Sequence, residues 1–152
     1  MMTPVAAEFD DTAELRVLVA EDNPAGQILI RLLLQKLNCA GTVVSNGRLA
    51  VEAVIRGGPY DLILMDFNMP VMNGIEAACS IHSLMGPAGK LPIIALSADS
   101  GGALREQAVA AGMNDFLGKP IDVRALTNAL SYWGAVSRGG NFGAGVKRRV
   151  KN

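Results

Sequence analysis

Polar residues of few types stand directly after short apolar runs. Glu21 and Asp22 follow Arg16 to Ala20, Asp66 follows Asp61 to Met65, Ser97 follows Pro92 to Leu96, and Lys119 follows Asp115 to Gly118. If these runs are strands of one parallel sheet with right-handed crossovers, their C-terminal ends share one edge and these side chains meet in one crevice. Three carboxylates there repel, by about 3 kcal/mol per pair for charges ~5 Å apart at an effective dielectric of about 20. One lysine offsets part of this. The oxygen-rich remainder suits a small hard divalent cation, Mg²⁺, held by one or two carboxylates. A carboxylate, a hydroxyl, an ammonium and Mg²⁺ together fit phosphoryl transfer, which needs charge neutralisation and positioning more than covalent machinery. Asp66 is then the nucleophile and forms an aspartyl-phosphate. The metal would bridge Asp22, Asp66 and the phosphoryl oxygens; Lys119 would pair with another of those oxygens and Ser97 would donate to a third.

Positioning these groups requires βα units, and the periodicity supplies them. The expected strands are Arg16 to Ala20, Gly41 to Val44, Asp61 to Met65, Pro92 to Leu96 and Asp115 to Gly118. Their near-continuous apolar character suits a parallel sheet buried on both faces, with the short, Gly-containing second and fifth strands at its edges. The first helix opens on a capping Asn23 with Pro24 at its first position, and shows Gln27, Arg31, Gln35 and Asn38 as a polar face. Further helices are expected at about Asn46 to Arg56, Gly74 to Met85 and Gly101 to Ala111. A fifth starts at a capping Asp122, buries Val123, Leu126, Leu130 and Trp133, and ends at Gly134.

The 152 residues suffice for one domain with a core, and no apolar run approaches the ~20 residues of a bilayer span. Residues 1–14 form an acidic, flexible segment with Glu8, Asp10, Asp11 and Glu14, unlike a targeting peptide. The cytoplasm is therefore the expected compartment. Residues 15–133 form the domain, and 134–152 a Gly-rich, basic, flexible tail. Lys plus Arg and Asp plus Glu number 14 each, with the basic excess confined to that tail, so the folded part has no electrostatic footprint for nucleic acid. Cys39 and Cys79 lack metal-site or disulfide spacing and are expected to be buried thiols.

The segments Ala20-Glu21-Asp22-Asn23, Leu64 through Asp66 and Asn68 to Gly74, Ile94-Ala95-Leu96-Ser97-Ala98 and Gly118-Lys119-Pro120 resemble the receiver domain of two-component response regulators, from about Leu15 to Trp133. Leu91 to Leu130 is most similar to receivers attached to hybrid sensor histidine kinases. The resemblance implies an α/β fold, flavodoxin-like (βα)5, doubly wound, with five parallel strands in the order 2-1-3-4-5. It implies that Asp66 takes a phosphoryl group from the phosphohistidine of a sensor histidine kinase or histidine phosphotransfer protein. Glu21, Asp22 and Asp66 would hold Mg²⁺ with the Asn68 main-chain carbonyl, and Ser97 and Phe116 would form a conformational switch. The Lys119–Pro120 bond would be cis, Ala98 would leave the phosphoryl group accessible, and Asn68 and Asp99 would flank that route. Ser97 stands where Thr is commoner, Phe116 where Tyr is common, and Asn73 where Asp often precedes the Gly; none of these removes a reacting group.

Taken singly, each residue has an ordinary role. Glu21 and Asp22 favour the positive end of a helix, Asp66 can form a turn, Ser97 can cap, and Lys119 can be solvated. Their coincidence at four strand ends carries the functional reading. His82 has no spaced acid partner and is expected at the surface or boundary. A haloacid-dehalogenase-type Mg²⁺ phosphatase would need a second Asp at the position of Asn68, and a cap domain. An FMN-binding flavodoxin-like module would place Ser, Thr and Gly where Glu21 and Asp22 would repel phosphate. With no helix-turn-helix expected after Trp133, the output is protein-protein signalling, by a lone regulator or a receiver from a hybrid kinase. Such a chain is no enzyme beyond its own phosphorylation and dephosphorylation.

Overall fold

The computed structural model of the chain describes residues 14–98 and 102–139. In chain order the elements are β1 (Arg16–Ala20), α1 (Pro24–Lys36), β2 (Ala40–Val44), α2 (Gly47–Ile55), β3 (Leu62–Asp66), α3 (Gly74–His82), a 3-10 turn (Gly86–Lys90), β4 (Ile93–Ser97), α4 (Gly102–Ala110), β5 (Asp115–Gly118) and α5 (Val123–Ser137). The strands form one parallel sheet in the order β2-β1-β3-β4-β5, with β2, as long as the central strands at five residues, and the four-residue β5 at its edges. Crossover helices cover both faces, so β3 and β4 are buried along their whole lengths.

Alternation along the strands sends successive side chains to two cores. Leu18, Ile63, Met65, Ile93 and Ala95 pack with Ala50 and Val54 of α2 and with Ala77, Ala78 and Ile81 of α3. Val17, Val19, Leu62, Leu64, Ile94 and Leu96 pack with Ile30 and Leu34 of α1 and with Leu126, Leu130 and Trp133 of α5.

Several expectations change. Gly134 does not end the last helix: a Cβ there would stand 2.7 Å from both methyls of Leu15, so the glycine allows close approach to the start of β1, and α5 continues to Ser137. Arg138 then reaches Asp61 (3.2 Å) and the Glu14 carbonyl (2.9 Å). Val123, at the first position of α5, is 42% exposed, whereas Leu126, Leu130 and Trp133 are buried. Helix α3 stops at His82, three residues short of Met85, where Leu84 N–H bonds the Ile81 carbonyl and the Ser83 hydroxyl donates back to Cys79. Cys39 is buried but Cys79 is exposed, because Ala77, Ala78 and Ile81 take the sheet side of α3. Of the expected polar face of the first helix, Arg31, Gln35 and Asn38 are exposed and Gln27 is half-buried, and Ile28, Leu29 and Leu32 of α1 are exposed as well. Residues 1–13 and 140–152, which include most of the acidic segment and the basic tail, lie outside the described residues, as does Asp99.

Candidate functional site

Strand register brings the polar residues together. Ala20 pairs with Met65, Asp66 with Leu96, and Ser97 with Gly118, so β1, β3, β4 and β5 each end within one residue of the neighbouring strand. Asp66 and Ser97 are the last residues of their strands, which end one position beyond the expected boundary. Glu21 N–H bonds the Val44 carbonyl and Lys119 N–H the Ser97 carbonyl at 2.8 Å, which extends the ladders one residue into the site. The Lys119–Pro120 peptide is cis, as is Gly58–Pro59.

Carboxylate oxygens of Glu21, Asp22 and Asp66 all lie within 4.8 Å of one another. Lys119 Nζ donates to Glu21 Oε1 at 2.7 Å and to Asp66 Oδ2 at 2.9 Å. Glu21, Asp66 and Ser97 are buried, and Asp22 opens the cluster to solvent. Burial pushes the Asp66 carboxyl above its ordinary range; the Lys119 hydrogen bond opposes this, and the charge on Glu21 adds to it. Burial would lower the Lys119 ammonium, but its hydrogen bonds to Glu21 and Asp66 outweigh that and raise it. Three carboxylates facing one ammonium leave an excess of two negative charges in an all-oxygen donor set with one solvent-exposed member. A hard divalent cation that keeps several waters fits that set, which is the chemistry of Mg²⁺.

The supports are local. Asn23 caps α1 through Gly26 N–H, and its own N–H donates to Glu21 Oε2 at 3.1 Å. Gln27 Nε2 donates to the Glu21 carbonyl at 2.7 Å. The loop after Asp66 turns back through Val71, whose φ of 69° is strained for a β-branched residue. It is closed by Gly74 N–H to the Phe67 carbonyl. A Cβ on Gly74 would collide with the Asp66 carbonyl oxygen, so α3 starts close behind Asp66 only because that residue is glycine. Asn73 and Glu76 form a reciprocal capping box, so Asn serves there as well as Asp would.

Phe116 is 7% exposed, tilted against Phe67 at 5.7 Å between ring centroids, with the Arg105 guanidinium 4.5 Å above its ring. Asn68 and Ala98 are exposed at the mouth of the crevice. His82 sits at the boundary, its Nε2 2.7 Å from the Gly112 carbonyl. Sequence reasoning missed the supporting roles of Gly26, Gln27 and Arg105. A glycine in the first turn of an otherwise apolar helix is a legible anomaly, but nothing in the sequence pairs Arg105 with Phe116.

Comparison with known proteins places this geometry. The family profile of the response regulator receiver domain matches residues 17–131. The chain is 38% identical over 128 residues to two-component response regulator 24 of Arabidopsis thaliana, covering 83% of this chain and 90% of that protein. It is 36% identical over 136 residues to the signal transduction histidine-protein kinase BarA of Escherichia coli (strain K12), covering 90% of this chain and 14% of the kinase. Among solved structures, it is similar to the receiver domain of a Pseudomonas aeruginosa sensor histidine kinase, which has a magnesium ion coordinated in its active site cleft. That pair shares 37% identity and a TM-score of 0.75, over 81% of this chain and 99% of the other. The receiver domain of a Saccharomyces cerevisiae response regulator, co-crystallised with a histidine phosphotransfer signaling protein, matches with 31% identity and a TM-score of 0.73, over 82% and 91%. With the sheet order, the acidic cluster and the family match in agreement, this chain belongs to the response regulator receiver domain family.

Proposed function

We propose that this chain is the phosphoacceptor of a two-component phosphorelay, with Asp66 receiving a phosphoryl group from a phosphohistidine. The observation that carries it is the convergence of Glu21, Asp22, Asp66 and Lys119 within hydrogen-bond or ion-ligand range at one sheet edge. An Asp66 oxygen forms a bond to phosphorus as the donor's nitrogen–phosphorus bond breaks, leaving an aspartyl-phosphate and a free imidazole. Lys119, already 2.9 Å from Asp66 Oδ2, transfers its pairing to a phosphoryl oxygen. Ser97, at the neighbouring strand end, donates to another, and its movement with Phe116 carries the change to α4 and β5. Glu21, Asp22, Asp66 and the Asn68 carbonyl would hold Mg²⁺, which would supply charge neutralisation. The exposed Asn68 and Ala98 flank the route to the phosphoryl group.

The donor is a sensor histidine kinase or a histidine phosphotransfer protein. Supporting a protein donor, the exposed Leu29 lines a hollow with Ile30, Leu96, Pro120 and Ile121 and with Glu21 and Lys119 of the site, and Ile28 and Leu32 of the same helix are exposed. The chain is a signalling acceptor whose only chemistry is its own phosphorylation and dephosphorylation, alone or as a segment of a hybrid kinase. No helix among the described residues is long and apolar enough to cross a membrane. We place the chain in the cytoplasm, where its free cysteines, Cys39 and Cys79, would stay reduced.

Intact-mass analysis after treatment with phosphoramidate and Mg²⁺ tests this reading. One phosphoryl group should be added, and Asp66→Asn or EDTA should abolish the addition. An unchanged wild-type mass would refute the assignment.

A further inference from the structure

Glu21 is one methylene longer than the aspartate beside it, and Gly26 is where the fold makes room for that length. The Glu21 side chain is 3% exposed and turns back against the first turn of α1. A Cβ on Gly26 would stand 2.9 Å from Glu21 Cδ, 3.1 Å from Oε1 and 3.2 Å from Cγ. All three atoms belong to the outer part of one side chain, so a methyl group there would displace the carboxylate and leave the backbone in place. The carboxylate is held at both ends: Oε1 accepts from Lys119 at 2.7 Å and Oε2 from Asn23 N–H at 3.1 Å. Gln27 fixes the residue's own carbonyl at 2.7 Å. Oε1 is thus both within reach of the missing Cβ and tied through Lys119 Nζ to Asp66 Oδ2 at 2.9 Å. Glycine disfavours helix at this position, so helix formation does not explain its presence.

We propose that Gly26 is a positioning residue for the phosphoacceptor site: by lacking a side chain, it sets where the Glu21 carboxylate lies relative to Asp22 and Asp66, and so sets the affinity for Mg²⁺. This rests on the reading of Glu21, Asp22 and Asp66 as Mg²⁺ ligands. Mg²⁺ demands near-ideal octahedral geometry at short range, so a displacement of tenths of an ångström that the fold absorbs is felt by the metal. The pairing depends on length, because an aspartate at position 21 lacks Cδ and Oε1, the two atoms nearest the Gly26 Cβ position, and keeps only the atom at the place of Cγ, 3.2 Å away.

The test uses four chains: wild type, Gly26→Ala, Glu21→Asp, and the two changes together. Mg²⁺ is titrated into each and followed by the Gly118 and Lys119 amide resonances, with the thermal midpoint measured in EDTA alongside. Gly26→Ala should weaken Mg²⁺ binding about tenfold or more, on the scale of supporting residues at metal sites. Its midpoint in EDTA should hold or rise, because alanine favours the helix. In the Glu21→Asp background the same change should cost less than about threefold, a non-additivity that a merely structural role would not produce. Unaltered Mg²⁺ affinity in Gly26→Ala, or an equal loss in both backgrounds, would overturn the proposal while leaving the phosphoacceptor reading standing. Failure of the wild type to bind Mg²⁺ would overturn both.

Discussion

Asp66 is 6% exposed and faces Glu21, so its charge is disfavoured until a cation arrives. A carboxyl raised in the folded state binds its proton more tightly than in the unfolded chain. The stability it contributes is present below the ordinary aspartate value, ~3.9, and is lost as pH rises through the raised value. In EDTA at neutral pH the ionised Asp66 is therefore a cost, and Asp66→Asn should raise the melting temperature. That gain should shrink as pH falls toward the ordinary aspartate range, which calorimetry across pH will show. Lys119 is stabilised in its charged form by its neighbours: its contribution is fully present at neutral pH, begins to fall as pH rises past the ordinary lysine value and is lost as pH passes the raised one. Lys119→Met should cost about 1 to 3 kcal/mol in EDTA, less than a fully buried pair would because its side chain is 27% exposed. Mg²⁺ should restore part of the loss, as denaturant titrations with and without the ion would show. The residues of the cluster were legible in the sequence because their types are unusual directly after apolar runs. Gly26 stood out as a glycine in a helix, but its purpose was not legible, because that purpose is the atom it would collide with, and that atom is set by the fold.

At the scale of elements, α1 shows where periodicity fails. Ile and Leu occupy nearly every side of it, so the polar positions Arg31 and Gln35 mark an outward face that is exposed as expected, but not the apolar residues exposed beside it. Burial falls on Ile30 and Leu34, which meet β1 and β3 side chains, and leaves Leu32 58% exposed. Leu34→Ala should therefore cost about 2 to 5 kcal/mol. Leu32→Gln should stay within about 0.5 kcal/mol, and paired urea titrations distinguish them. Helix starts were more readable, because a cap is a local chemical event: Asn23, Asn46, Asn73 and Asp122 each accept from the backbone N–H three residues on. Gly74→Ala, by contrast, should destabilise the chain by about 1 to 3 kcal/mol and slow phosphorylation, since a methyl group there meets the Asp66 carbonyl oxygen and forces α3 away from the acceptor.

Across the whole molecule, the last helix closes the fold on its opposite end. Trp133 Nε1 donates to the buried Asp115 at 2.9 Å, Gly134 lies against Leu15, and Arg138 joins Asp61 to the Glu14 carbonyl. A chain truncated after Trp133 should melt about 4 to 8 °C below one ending at Gly139, the shift expected for each 1 kcal/mol lost from a domain of this order of size, and differential scanning calorimetry would detect it. Salt should weaken only the small Arg138 share of that difference, because the pair is exposed. The alternation of strand-like and helix-like runs determined the parallel βα architecture, and the strand-end residues determined the chemistry, because both depend on short-range order along the chain and on a crossover rule that admits few topologies. Tertiary structure alone decided that Ile28, Leu29 and Leu32 of α1 also face solvent, that Gly134 is a point of contact and no terminus, that Cys79 lies outside, and that Gly26 makes room for Glu21. Each of those depends on which atoms from distant segments arrive within a few ångströms, and no local pattern encodes that distance.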